Sequence, residues 1–148
     1  MTAFRRVLYA TDFSKASTPA FARALEVARK DRARLALVHV LMPPAMFLED
    51  SALSARTLRE MREQARRGAE DRLAPLLARA RRRGVRAAAV VREGLPADEI
   101  VAEARRRRAD LIVVGTHGWS TLRRFFLGSV AARVVTLARC PVLTVAGR

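Results

Sequence analysis

Apolar residues in this chain change their spacing at regular intervals, and the changes predict alternating strands and helices. Phe4–Ala10 (FRRVLYA) is rich in β-forming residues and reads as a first strand. In Ser14–Lys30, Ala20, Phe21, Ala24, Leu25 and Ala28 recur at the spacing of one helix face. Pro19 suits the first turn of that helix, where a missing N–H costs nothing. Arg34–Leu41 (RLALVHVL) reads as a second strand. Met42–Ala52 contains Pro43-Pro44 and reads as a loop. Leu53–Arg83 is a long helical stretch whose stripe runs through Leu58, Met61, Ala65, Ala69, Leu73, Leu76, Leu77 and Ala80. Gly68 and Pro75 are the places where it would kink or split, and Gly84 marks its end. Val85–Val91 is a third strand. Pro96–Arg107 is a third helix, opened by Pro96, with Asp98 and Glu99 at the positive end of its dipole. Asp110–Gly115 is an apolar fourth strand of the kind buried on both faces. Ser129–Arg139 is a fourth helix and Pro141–Val145 a last strand.

This alternation implies an α/β fold: an open, mostly parallel sheet with helices on both faces and right-handed crossovers. The fourth strand is expected to be central and the proline-headed fifth an edge. No repeat or low-complexity linker interrupts the chain, so residues 1–148 are expected to form one domain.

Composition narrows the function classes. The chain is 51% hydrophobic, enough for a core and against disorder. No apolar run approaches the ~20 residues that span a bilayer, and the N-terminus lacks a signal-like segment. The lone Cys140 forms no internal disulfide and is expected to be structural. A cytoplasmic protein is the expectation. The formal charge of +15 is mostly arginine, which fits nucleic acid, an anionic surface, an anionic ligand or simply solvated positions. Arg81–Arg83 and Arg105–Arg108 end helices and precede strands. That places them on the amino-terminal rim of the sheet, where cations offset the helix dipole. Only 5% of residues are aromatic, which argues against base stacking, so nucleic acid is not the expected partner.

Open α/β sheets bind ligands beyond the carboxyl ends of their strands, where strand order reverses. Three segments lie there: Ala10-Thr11-Asp12-Phe13-Ser14, Val40-Leu41-Met42, and GTHGWSTLRRFFLGSV at residues 115–130. The last has the spacing G-x2-G-x9-G-S, with Gly115, Gly118, Gly128 and Ser129. Gly115 keeps the end of a buried strand clear, and Gly118 permits the positive φ of a tight loop. Gly128-Ser129 opens a helix whose free N–H groups suit a phosphate. Each element taken singly also fits a plain turn or an N-cap; the combination raises an anion site. Neither the P-loop nor the dinucleotide fingerprint is present.

The stretch GTHG-x9-GSVAARVV…CPVLTV resembles the C-terminal half of universal stress protein domains, and VLYATDFS, VHV and EGLPADEIVAEA resemble other segments of that family. The resemblance covers essentially the whole chain. It implies a five-stranded parallel sheet in the order 3-2-1-4-5, Rossmann-like and akin to adenine nucleotide alpha hydrolases, with Asp12 facing Gly115 at the reversal. It also implies ATP, with ADP or AMP as alternatives, and Mg²⁺ carried on the phosphates. Asp12 would contact adenine and ribose, the Val40 backbone the adenine ring, and Ala10 and Thr11 would shape the adenine pocket. Gly115 and Gly118 would lie along ribose and phosphates, within a loop that includes Thr116 and His117. Gly128, Ser129 and Val130 would supply phosphate donors. Phe13 departs from a frequent glycine, which bears on pocket width.

Other residues keep two readings. Asp12 also fits a capping role. His117 lacks a carboxylate cluster and so is a weak metal signal, with a surface loop position as the alternative. His39 reads as a packed strand residue. Arg123 and Arg124 either reach a phosphate or remain solvated. Phe125 and Phe126 anchor the loop to the core or a partner, and Trp119 either packs or stacks.

The expected function is that of an ATP-binding universal stress protein, a nucleotide-responsive regulator acting through dimerisation or partner docking. A homodimer would form through the edge strand Val142–Val145. The alternative is an interaction module without nucleotide turnover or binding. No catalytic residue stands out, so at most slow ATP hydrolysis or autophosphorylation is expected.

Overall fold

The computed structural model describes residues 2–46, 52–117 and 127–147. Five strands, β1 (Arg6–Ala10), β2 (Arg34–Leu41), β3 (Ala87–Glu93), β4 (Leu111–Gly115) and β5 (Val142–Val145), alternate with four helices. These are α1 (Thr18–Lys30), α2 (Ala55–Arg82), α3 (Pro96–Arg107) and α4 (Ser129–Leu137). The strands pair in parallel in the order β3-β2-β1-β4-β5. Strand order reverses between β1 and β4, as expected, and β5 is an edge.

Side chains alternate across the sheet and divide the core in two. Val7, Tyr9, Leu35, Leu37 and Val113 pack with α1 and α2. Leu8, Ala10, Val38, Ile112 and Val114 pack with α3 and α4. Successive residues of one strand therefore serve opposite layers, as the two-residue strand period requires.

Several boundaries move for identifiable reasons. β1 begins at Arg6 rather than Phe4 because acidic side chains take the preceding N–H groups. Phe4 donates to Asp31 Oδ2 at 2.8 Å, and Arg5 and Arg6 donate to Asp110 at 2.8 and 2.9 Å. β3 starts at Ala87 because the Val85 N–H turns back to Ala80 O at 3.1 Å and closes α2. A 3-10 turn over Lys15–Ser17 precedes α1. α4 ends at Leu137 because Ala138 is extended (φ −66, ψ 144) ahead of Pro141.

α2 is one helix of 28 residues and is not split at Gly68 or Pro75. Both residues are exposed, so water reaches the carbonyl that Pro75 leaves without a donor. The stripe on α2 packs only in its second half: Ala69, Leu73 and Ala80 are buried, whereas Ala65 is exposed and Met61 is 41% exposed.

The arginine runs do end helices, with Arg83 and Arg108 as the C-caps of α2 and α3. Arg32 and Arg108 follow helices in the left-handed region, at φ 54 and 52, where glycine is the usual residue. Within α3, Glu103 is 1% exposed and receives Arg92, Arg106 and Arg107. Burial works against its ionisation, but the three guanidinium hydrogen bonds outweigh that and bring its pKa down to about 2. Sequence periodicity does not separate this buried carboxylate from the solvated glutamates around it.

Candidate functional site

The segment after β1 is fixed by its own hydrogen bonds. The Thr11 N–H donates to Val38 O at 3.0 Å, which carries the chain past the sheet. Thr11 Oγ1 accepts the Phe13 N–H at 3.0 Å and lies 3.2 Å from Ser17 Oγ. Asp12 Oδ1 accepts both the N–H and the O–H of Ser14, at 2.9 and 2.6 Å. This is the local capping role open to Asp12, formed as an Asx turn. The Ser17 hydroxyl donates to Ser14 O at 2.7 Å, and the Tyr9 hydroxyl to Ser17 O at 2.9 Å. The loop is thus shaped before any ligand arrives.

Phe13 sits at φ 63, which accounts for a glycine preference at this position. Its ring centroid lies 4.3 Å from that of His39, and the Arg72 guanidinium lies 4.5 Å from the ring centroid. Both contacts offset the backbone cost. The ring packs with the core layer of α1 and α2, and Phe13 does not line the cavity described below. Its side chain therefore does not set pocket width, contrary to expectation. His39 Nδ1 donates to Thr11 O at 2.8 Å. Burial pushes the imidazole below its ordinary pKa, against the opposing pull of the Thr11 carbonyl. His39 is a packed strand histidine.

Beyond the carboxyl ends of β1 and β4 lies a cavity of about 350 Å³. Ala10, Thr11, Asp12, Val40, Gly115, Thr116, His117, Gly128, Ser129 and Val130 all line it. Gly118 and Arg124, also candidates, lie outside the described residues, as do Trp119, Arg123, Phe125 and Phe126. The cavity adds Ser17, Val38, Pro96, Ile100, Val114 and Ala131, which the motifs did not single out. Two signals were available for some of these. Val38 shares a strand face with Val40, and Pro96 and Ile100 are four apart on α3. Arg133 on α4 reaches Asp98 on α3 at 3.2 Å and ties together the two helices that wall this side.

Close approach requires one glycine and favours another. A Cβ on Gly128 would stand 2.8 Å from the Thr116 carbonyl oxygen, and one on Gly115 would stand 3.3 Å from Ala16 O. A third contact of this kind falls at Gly147, where a Cβ would meet Ala16 Cα at 2.7 Å. The Gly128 N–H is not open to a ligand, because it donates to Thr116 O at 2.6 Å. That corrects the donor role expected of Gly128; its part is steric.

Gly128 is the N-cap of α4, so Ser129 is the first helical residue rather than the cap. The first N–H bonded within the helix is that of Ala132, to Gly128 O at 2.9 Å. The N–H groups of Ser129, Val130 and Ala131 therefore have no intrahelical acceptor. They stand at the positive end of the helix dipole, beside the cavity. His117 Nδ1 lies 2.9 Å from Thr116 Oγ1. Among the described residues no group of three or more His, Cys, Asp or Glu is placed to hold a metal ion. Among them, too, no helix is long and apolar enough to cross a membrane.

Known proteins share this architecture. The universal stress protein family model matches residues 3–146. A universal stress protein of Methanocaldococcus jannaschii is 34% identical over 146 residues, covering 96% of this chain and 82% of the relative. The structure of universal stress protein UspA from Lactobacillus plantarum superposes with a TM-score of 0.84 at 22% identity, over 98% of this chain and 99% of that one, which shows the Rossmann-like fold. A universal stress protein crystallised in complex with cAMP is 27% identical, with a TM-score of 0.69 and 99% of both chains covered. The chain belongs to the universal stress protein family.

Proposed function

We propose that the cavity between β1 and β4 binds an adenine nucleotide, with ATP as its principal ligand and ADP or AMP as lesser ones. The observation that carries this reading is the start of α4, where the N–H groups of Ser129, Val130 and Ala131 lack helical acceptors and border a cavity with apolar walls. Val38, Val40 and Ile100 supply surface for a base, and the α4 start supplies donors for phosphates. The relative crystallised with cAMP supports an adenine ligand in this fold. In this reading Asp12 holds the adenine–ribose portion, its carboxylate set by Ser14. Mg²⁺ rides on the phosphates and neutralises them.

Ser129→Pro tests the reading directly. Proline is favoured at the first helical position, and the extended Gly128 (φ −59, ψ 154) accepts a following proline. The substitution removes one donor and leaves the helix in place. Loss of a hydrogen bond to a charged group, about 1.5–3 kcal/mol, predicts ATP affinity lower by about tenfold or more in calorimetry. No binding of ATP to the wild type at millimolar concentration, or equal binding by wild type and variant, overturns the reading.

The output of the site, in the same proposal, is nucleotide-dependent regulation in the cytoplasm through a homodimer. Among the described residues β5 pairs only with β4, and its other edge is the one for self-pairing across a two-fold axis. Protomers of charge +15 repel, so salt strengthens such a dimer. Light scattering at two ionic strengths tests this, and a monomer at both overturns it.

A further inference from the structure

We infer that the amino-terminal end of the sheet carries a second anion site, for a compact polyphosphate, separate from the nucleotide cavity and independent of that reading. Strand register builds it. Arg6 of β1 is level with Arg34 of β2, and the pairing of Leu35 with Ala87 brings Arg86 level with Arg34 on the other side. The Leu35 N–H donates to Arg86 O at 2.9 Å and fixes that register. Three arginines thus stand side by side across three parallel strands, about 10 Å from first to last at the usual strand spacing. They line one cavity of about 480 Å³, together with Arg107 from the end of α3 and a floor that includes Ala36 and Ala88.

Local carboxylates compensate Arg107 and partly Arg6, and leave Arg34 and Arg86 without a counter-charge among the described residues. Glu103 is shared by Arg92, Arg106 and Arg107. Asp110 is engaged by the backbone N–H groups of Arg5 and Arg6. Among the described residues neither Arg34 nor Arg86 forms an ion pair, and the Arg6 side chain reaches only the Arg108 carbonyl, at 3.5 Å. Like charges on neighbouring strands repel. An anion with several phosphate groups removes that repulsion, and guanidinium forks match phosphate oxygens two at a time. The small floor residues leave room for the anion to reach the sheet. No aromatic side chain lines the cavity, so a base has nothing to stack on.

Inorganic tripolyphosphate is the probe, titrated calorimetrically into the full chain at ~150 mM salt, a concentration that screens diffuse charge. One saturable site that depends on Arg34 and Arg86 is expected, distinct from any binding at the α4 start, which the Ser129→Pro variant weakens. Arg34→Gln with Arg86→Gln weakens it at least tenfold. Ser129→Pro does not change it, nor does Arg23→Gln with Arg56→Gln, which removes two exposed paired arginines. Circular dichroism verifies that each variant folds. Equal weakening by the Arg23/Arg56 control, loss of binding in Ser129→Pro, or no saturable binding to the wild type overturns the proposal. So does duplex DNA bound with the same Arg34 and Arg86 dependence while tripolyphosphate is not.

Discussion

As proposed, the two ends of the sheet attract anions by different means. At the carboxyl end, around Asp12 and Gly115, the attraction comes from main-chain N–H groups at the start of α4, and the walls are largely apolar. At the amino end it comes from side chains, with Arg6, Arg34, Arg86 and Arg107 around small alanines. Both arrangements follow from parallel strands. Every crossover returns the chain to the same end, so helix starts gather at one end and helix finishes at the other. Main-chain donors cannot be titrated away and place a ligand narrowly. Arginine side chains carry full charge but respond to salt. The two proposals thus give one protein a shaped anion site and a charged one about a strand length apart.

The largest expected effect breaks the charged end from within. Glu103→Gln removes the buried carboxylate that gathers three partly exposed arginines, and loss of its charged hydrogen bonds costs about 1.5–3 kcal/mol. Urea denaturation measures it. The same residue sets an acid limit. Its pKa is lower folded than unfolded, so its stabilising contribution is present above pH 4.5 and is lost as pH falls towards about 2. The variant should lack that part of the acid transition.

At the shaped end, Gly128→Ala forces a methyl to within 2.8 Å of the Thr116 carbonyl and disturbs the α4 start. An overpacking cost of about 1–3 kcal/mol is expected in urea denaturation. ATP affinity should fall with it, whereas binding of tripolyphosphate at the far end should not. His39 gives a milder effect. Its pKa is depressed in the folded state, so the contribution is present above its ordinary value of 6.5 and declines as pH falls below it. Thermal unfolding between neutral and mildly acid pH should show the decline, and His39→Gln should flatten it. The smallest effect is a gain. Arg108→Gly relieves the left-handed backbone at φ 52, partly offset by the entropy of glycine in the unfolded chain. The net is about 0.5 kcal/mol, read as a small rise in Tm.

Legibility differed between these ends for physical reasons. The bounds of β2 and α3 follow directly from their sequences, because Arg34–Leu41 is a near-continuous β-forming run and Pro96 opens α3. The cavity residues of the G-x2-G-x9-G-S pattern were legible because close approach restricts Gly128 to glycine and favours it at Gly115, and such restriction leaves a mark in sequence. The fate of the Gly128 N–H was not legible. It depends on the position of one carbonyl, that of Thr116, which no residue type encodes. Phe13 misled because a side chain says nothing about which way a left-handed residue turns it. The arginine ladder was hidden for another reason. Arg6, Arg34 and Arg86 are scattered in sequence, and only the strand register makes them neighbours. Met61 and Ala65 on α2 show the reverse error: helical periodicity marks a stripe, but not how far the sheet extends beneath it.

Ala16 joins two places otherwise considered apart. It packs against Gly115 at the end of β4, where a Cβ would be a tight 3.3 Å from its carbonyl oxygen, and against Gly147 just after β5, where a Cβ would meet its Cα at 2.7 Å and has no room. The next residue, Ser17, borders the cavity at the carboxyl end of the sheet and hydrogen-bonds Thr11. A side chain added at Gly147, beyond the edge strand, would therefore strike the segment that walls the pocket.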